Sequence, residues 1–132
     1  AAYALAVGAV YMATTVPDAT GDRLTGKFTA TVCWGEKATL TTALAAVTAA
    51  IVVAAMAADW HLTLAALAAW PIFLLAVFRP SAATMAAKVA VGALSLAAAV
   101  AYPAYAILLV AGFVGTQLFF RWRFGIAYPT FV

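Results

Sequence analysis

The densest chemistry in this chain lies in ten residues. Asp18, Asp22, Arg23 and Lys27 sit together in a sequence of 132 residues that carries only seven basic and four acidic side chains in all. The stretch reads Val16-Pro17-Asp18-Ala19-Thr20-Gly21-Asp22-Arg23-Leu24-Thr25-Gly26-Lys27-Phe28-Thr29. On a helix, Asp18 and Asp22 fall at i and i+4, on one face, with Cβ atoms about 5–6 Å apart. Two like charges there repel, and a divalent cation between them turns that cost into a gain. Mg²⁺ suits the pair, because it takes oxygen ligands and usually binds one or two carboxylates together with substrate phosphates and waters. Arg23 and Lys27, again four apart, offer a bidentate fork and a compact point charge to phosphate oxygens. Gly21 and Gly26 let the backbone bend close to a ligand. The same charges also suit a solvated loop in which Asp18 caps a helix start and Asp22 pairs with Arg23 or Lys27. Spacing alone leaves both readings open.

The elements that must position these residues are membrane spans. Of the sequence 68% is apolar and 8% charged, whereas soluble domains are about 45–50% apolar and about 25% charged. Too little polar surface remains to cover a water-soluble fold, so lipid is the better solvent. A span needs about 20 apolar residues. Runs that approach this length predict an all-α, multi-span transmembrane helix bundle of about five segments, at residues 1–16, 38–58, 62–78, 82–102 and 104–120. Residues 17–37 are expected to be the motif loop. Pro71, inside the third segment, is tolerable where neighbouring helices satisfy the freed carbonyl. Alternating the segments across a bilayer places Arg23, Lys27, Lys37, Arg79, Lys88, Arg121 and Arg123 on one side, and Asp59 and His61 on the other. The positive-inside rule makes the basic side, and with it the loop, cytoplasmic in an integral multi-pass protein. The basic excess is therefore read as topology. Basic stripes interleaved with aromatics are absent, which excludes nucleic acid as a partner.

The loop resembles the second aspartate-rich motif of UbiA-type intramembrane prenyltransferases, which has the form D-x-x-G-D-R-x-x-G-K-x-T-x-P-V-x-x-G. Asp18, Gly21, Asp22, Arg23, Gly26, Lys27, Thr29, Val32 and Gly35 stand in register with it. The chain departs at Thr20, where an acid is common, and at Thr31, where proline is common. Loss of the extra acid is expected to weaken metal binding, and Thr31 to loosen the loop. The resemblance implies an enzyme in which two facing aspartate-rich motifs hold Mg²⁺ on an allylic or polyprenyl diphosphate. The diphosphate departs, and a lipophilic acceptor, often an aromatic ring, takes the prenyl group. Carried over by position, Asp18 and Asp22 would bind the metal, and Arg23 and Lys27 the diphosphate. No individual catalytic residue is singled out.

The family's first motif, an N-x-x-x-D-x-x-x-D type sequence, is not found in these residues, and Asp59 falls on the wrong side to replace it. The reading therefore expects the C-terminal half of such an enzyme, with a missing N-terminal half as partner and no catalysis by this piece alone. The first apolar run is already under way at Ala1, without a basic n-region ahead of it, so a fragment or processed piece is expected rather than a signal peptide. More spans follow the motif than the family commonly has.

Other residues have plainer readings. Cys33 stands alone, which excludes a disulfide or a CxxC metal site within the chain. The pair Trp60-His61 suits an interfacial anchor. Lys88 either snorkels to the basic side or reaches the diphosphate. Tyr3, Tyr11, Trp34, Phe113, Phe119 and Phe120 line a prenyl channel or face lipid and neighbouring helices. The tail from Arg121 to Pro129 reads as a basic-aromatic interfacial stop against membrane lipid. Two rival functions are weighed. One is a non-enzymatic membrane subunit or small transporter component with a charge-paired loop; the uniformly apolar mid-span positions count against transport. The other is a CDP-alcohol phosphotransferase, which would need the order D-G where this chain has Gly21-Asp22.

Overall fold

The computed structural model describes residues 1–128, and among them there is no strand. Helix α1 runs Ala2–Leu24, the short α2 Ala30–Trp34, α3 Glu36–Met56 and α4 Trp60–Phe78. A single 3-10 turn, Pro80–Ala82, leads into α5, Ala83–Ala101, and α6 spans Pro103–Phe124. Four stretches are long and apolar enough to cross a membrane: Glu36–Met56, Trp60–Phe78, Pro80–Ala101 and Pro103–Phe124. The protein is thus an all-α multi-span bundle. By the same measure α1, which carries Asp18, Asp22 and Arg23, is not a fifth such stretch.

The expected loop 17–37 differs most from the structure. Residues 17–24 continue α1, and 30–34 form α2. Pro17 lies inside the helix, where it removes the backbone donor to the carbonyl of Ala13. The helix persists because both flanks of the proline are held by packing. Val16 belongs to the core cluster, and Ala19 is buried. Tertiary burial here outweighs the local breaker. α4 likewise runs unbroken through Pro71.

The chain divides into two compact units, Ala1–Ala97 and Ala98–Val132. In the first, two clusters of buried side chains define the register. One joins Ala9, Ala13 and Val16 of α1 to Leu40 and Ala43 of α3, Phe73 and Ala76 of α4, and Ala83 and Ala86 of α5. The other joins Ala2 and Ala6 to Ala50 and Ala54, Leu62 and Ala65, and Leu94. The C-terminal half of α1 therefore meets the N-terminal half of α3, the C-terminal half of α4 and the N-terminal half of α5. This is up-and-down threading. It gathers Arg23, Lys27, Lys37, Arg79 and Lys88 at one end of the unit and puts Asp59 and His61 at the other.

The packing is built from alanine. α1 buries Ala2, Ala6, Ala9, Ala13 and Ala19, and α5 buries Ala83, Ala86, Ala87 and Ala90. Small side chains let helix backbones approach closely where lipid supplies no hydrophobic drive. Phe73 and Leu40 are the largest apolar side chains that are fully buried. A polar link joins α3 and α4: Trp70 Nε1 donates to Thr48 Oγ1 at 3.0 Å, and that hydroxyl donates to the carbonyl of Leu44 at 2.8 Å.

The α3–α4 corner is a tight reversal. Asp59 N–H donates to the carbonyl of Ala54 at 2.9 Å, and Ala58 N–H to that of Ala55 at 3.0 Å. This bond pair is the Schellman pattern, whose C′ residue is left-handed and usually glycine. Here it is Ala58, at φ 55°. Asp59 then caps α4 through Oδ1, which accepts from Leu62 N–H at 3.1 Å. An L-residue in the left-handed region costs roughly 1–2 kcal/mol. Ala58→Gly is therefore expected to stabilise the fold by about 1 kcal/mol, seen as a higher midpoint in a detergent-unfolding titration followed by circular dichroism.

Candidate functional site

The end of α1 is shaped by a second Schellman motif, this time with the expected glycine. Lys27 N–H donates to the carbonyl of Asp22 at 2.9 Å, and Gly26 N–H to that of Arg23 at 3.3 Å. Gly26 takes φ 70°. The motif turns the chain back over the last turn of the helix, so Lys27 lies above the carboxylate one turn below it. Lys27 Nζ stands 3.6 Å from Asp22 Oδ1, with the Asp22 side chain 12% exposed and that of Lys27 67% exposed. The charge pairing considered for Asp22 is thus present, and its partner is Lys27.

Asp22 occupies an unfavourable place for a carboxylate. The C-terminal turn of a helix carries partial negative charge, and an acid there costs about 0.3–1 kcal/mol before compensation. Arg23 in the same turn and Lys27 just past it supply that compensation.

Asp18 and Asp22 share one face of α1 and open into one depression. It has a volume of about 460 Å³ and is lined by Pro17, Asp18, Gly21, Asp22, Thr25 and Lys27. The sequence expectation that the two carboxylates would be neighbours if helical is met. Arg23 is exposed but is not part of that wall; one residue on from Asp22, it points about 100° away around the helix. Gly21 also lines the depression, to one side of the two acids, and a Cβ placed on it would meet no atom within 4 Å.

Beside this end of α1 packs α2, which contributes no wall to the depression and is held by threonines. Thr15 of α1 and Thr31 of α2 are both buried, and their hydroxyl oxygens lie 2.7 Å apart. Thr15 also bonds the carbonyl of Met12 at 2.8 Å. A hydroxyl has one proton to give, so Thr31 is the donor of the pair. This corrects the expectation that Thr31 loosens the loop: it ties α2 to α1. Periodicity could not reveal it, because its partner lies sixteen residues away in a different helix. Gly35, at φ 81° and ψ 162°, then links α2 to α3 through a conformation that is essentially glycine-only.

The donor set fits Mg²⁺ in part. Two carboxylates one helical turn apart, beside a cation that can meet phosphate, are what such an ion uses when phosphates and waters fill its remaining positions. Among the described residues no group of three or more His, Cys, Asp or Glu side chains comes together. The pair is thus a partial set. Cys33 is exposed and free. Lys88 is exposed on α5. No family model, curated protein or solved structure gives a match to this chain.

Proposed function

We propose that this chain supplies one bank of an Mg²⁺-dependent prenyl-transfer site of the UbiA type, acting on an allylic or polyprenyl diphosphate and a lipophilic acceptor. The observation that supports the reading most is the shared depression of Asp18, Gly21 and Asp22 at the end of an otherwise apolar bundle. In this reading Asp18 and Asp22 hold the metal by carboxylate oxygens. Lys27 places its ammonium where the charge of a departing diphosphate develops, and Arg23 reaches it from the rim. When bound, the metal would neutralise diphosphate charge and make it a better leaving group. Asp18 and Lys27 are exposed here, so the cover that keeps water from the allylic cation, and strengthens the fixed charges in a dry setting, would have to come from outside the depression. The remaining carboxylates of the donor set would come from residues outside these 132. By the positive-inside rule the end bearing Arg23, Lys27, Lys37, Arg79 and Lys88 is cytoplasmic.

A second reading is favoured by one specific observation, the Lys27–Asp22 ion pair. In it the segment is a self-satisfied helix terminus of a membrane subunit and takes no ligand. Binding separates the two. A labelled allylic diphosphate is titrated against the full-length natural protein in membranes at varied Mg²⁺. The prenyl-transfer reading expects Mg²⁺-dependent binding that falls roughly a hundredfold in Asp18→Ala and in Asp22→Ala, as loss of a charge-assisted interaction of about 2–3 kcal/mol would give. Binding that is unaltered in both variants leaves the subunit reading standing.

A further inference from the structure

The second compact unit carries charge that the proposed chemistry does not use. Helix α6 has no buried residue, and every residue from Arg121 to Tyr128 is exposed. It begins at Pro103 beside the exposed Tyr102 and stays uncharged through Phe120. At about 1.5 Å per residue, that uncharged run is about 27 Å long, close to the hydrocarbon thickness of about 30 Å. Tyr102 and Arg121 then fall at opposite headgroup levels. At the arginine end the chain presents Arg121, Trp122, Arg123 and Phe124 in succession. Successive residues turn about 100° around the helix, so these four face four directions, with the two guanidinium groups on nearly opposite sides.

The end is also held together. The rings of Phe119 and Phe120 meet edge to face at 5.5 Å, and those of Phe120 and Phe124 lie 5.6 Å apart. Gly125, at φ 68°, turns the chain so that the Tyr128 ring meets that of Phe120 at 4.8 Å, tilted by 57°. The guanidinium carbon of Arg123 lies 5.9 Å from the Phe124 ring centroid. No Asp or Glu occurs in this unit, since all four acids precede residue 60.

We propose that residues 121–124 form a collar that binds the phosphates of anionic phospholipids. Cations on opposite sides of one helix cannot both face a single protein patch, whereas a lipid annulus surrounds the helix and meets both. Arg suits phosphate through its fork of donors, and Trp122 with the phenylalanines fits the headgroup boundary. The collar is independent of the reading given to Asp18 and Asp22.

The test uses the whole chain in nanodiscs of phosphatidylcholine with phosphatidylglycerol as the minor component. Native mass spectrometry reads which lipids stay bound, and circular dichroism confirms helicity in every variant. The wild type is expected to retain phosphatidylglycerol preferentially, and the R121Q/R123Q protein to lose that preference by roughly fivefold per arginine. R121K/R123K should keep most of it, and K37Q/R79Q should behave as the wild type. Unchanged retention by R121Q/R123Q overturns the collar. So does an equal loss in K37Q/R79Q, or a change in self-association with lipid retention intact.

Discussion

Phe73→Ala should lower the stability of the bundle by about 3 kcal/mol, the low end of the range for truncating a buried aromatic. The low end applies because the transfer part of that cost shrinks when the alternative environment is lipid, which is as apolar as the core. The cavity part remains. Phe73 is fully buried in a cluster made mainly of alanines, and an alanine has no rotamer with which to fill a void. Removing the ring forfeits dispersion attraction that no neighbour can restore. Leu40 and Val47 are the larger neighbours on α3, and both are already buried themselves. Unfolding by a denaturing detergent, followed through Trp70 fluorescence, measures the loss. Phe73→Leu, which keeps most of the volume, should cost less than half as much. Equal, negligible costs for both would mean that α4 does not pack into the bundle by this face.

Gly21→Ala should move stability and ligand binding in opposite directions. A glycine inside a helix costs up to about 1 kcal/mol relative to alanine, and Gly21 lies inside α1 with open space where a Cβ would go. Folding alone therefore favours alanine, and the variant should be more stable by roughly 0.5–1 kcal/mol. The methyl would project into the open space of the depression that Gly21 lines with Asp18 and Asp22. If a metal-bound diphosphate approaches the backbone there, its affinity should fall about tenfold or more, equivalent to about 1.4 kcal/mol. Thermal unfolding and diphosphate binding on the same preparation give both signs. A variant that is more stable and binds as well as the wild type would show that nothing approaches the helix at Gly21.

Much of the bundle was legible in the sequence because apolar runs and their polar interruptions are long-wavelength features. The segments expected at 38–58, 62–78, 82–102 and 104–120 match α3, α4, the Pro80–Ala101 stretch and α6 to within a few residues. The reversal at Asp59 was equally plain, since a lone acid between two apolar runs has few other places to go. Residues 17–24 were not legible as helix. Pro17 and two aspartates signal a loop locally, and only the burial of Val16 and Ala19 against other elements overrides that signal. α2 was missed for a related reason: it is five residues long and held by Thr31 reaching Thr15, a bond that no periodicity encodes. In the candidate site, the i, i+4 relation of Asp18 and Asp22 followed from spacing once helix was granted. That Lys27 rather than Arg23 stands over Asp22 depended on the left-handed turn at Gly26.

The most direct test of the Asp18–Asp22 site places Mn²⁺ where Mg²⁺ would bind and reads its surroundings. Electron paramagnetic resonance of Mn²⁺ added with inorganic pyrophosphate to the full-length natural protein should show phosphorus hyperfine coupling on a protein-bound ion. That signal should vanish in the D18N/D22N protein. An identical spectrum from wild type and double variant, or Mn²⁺ pyrophosphate remaining free in both, would rule out a metal–diphosphate site here and leave the Lys27–Asp22 pair as the whole purpose of the segment.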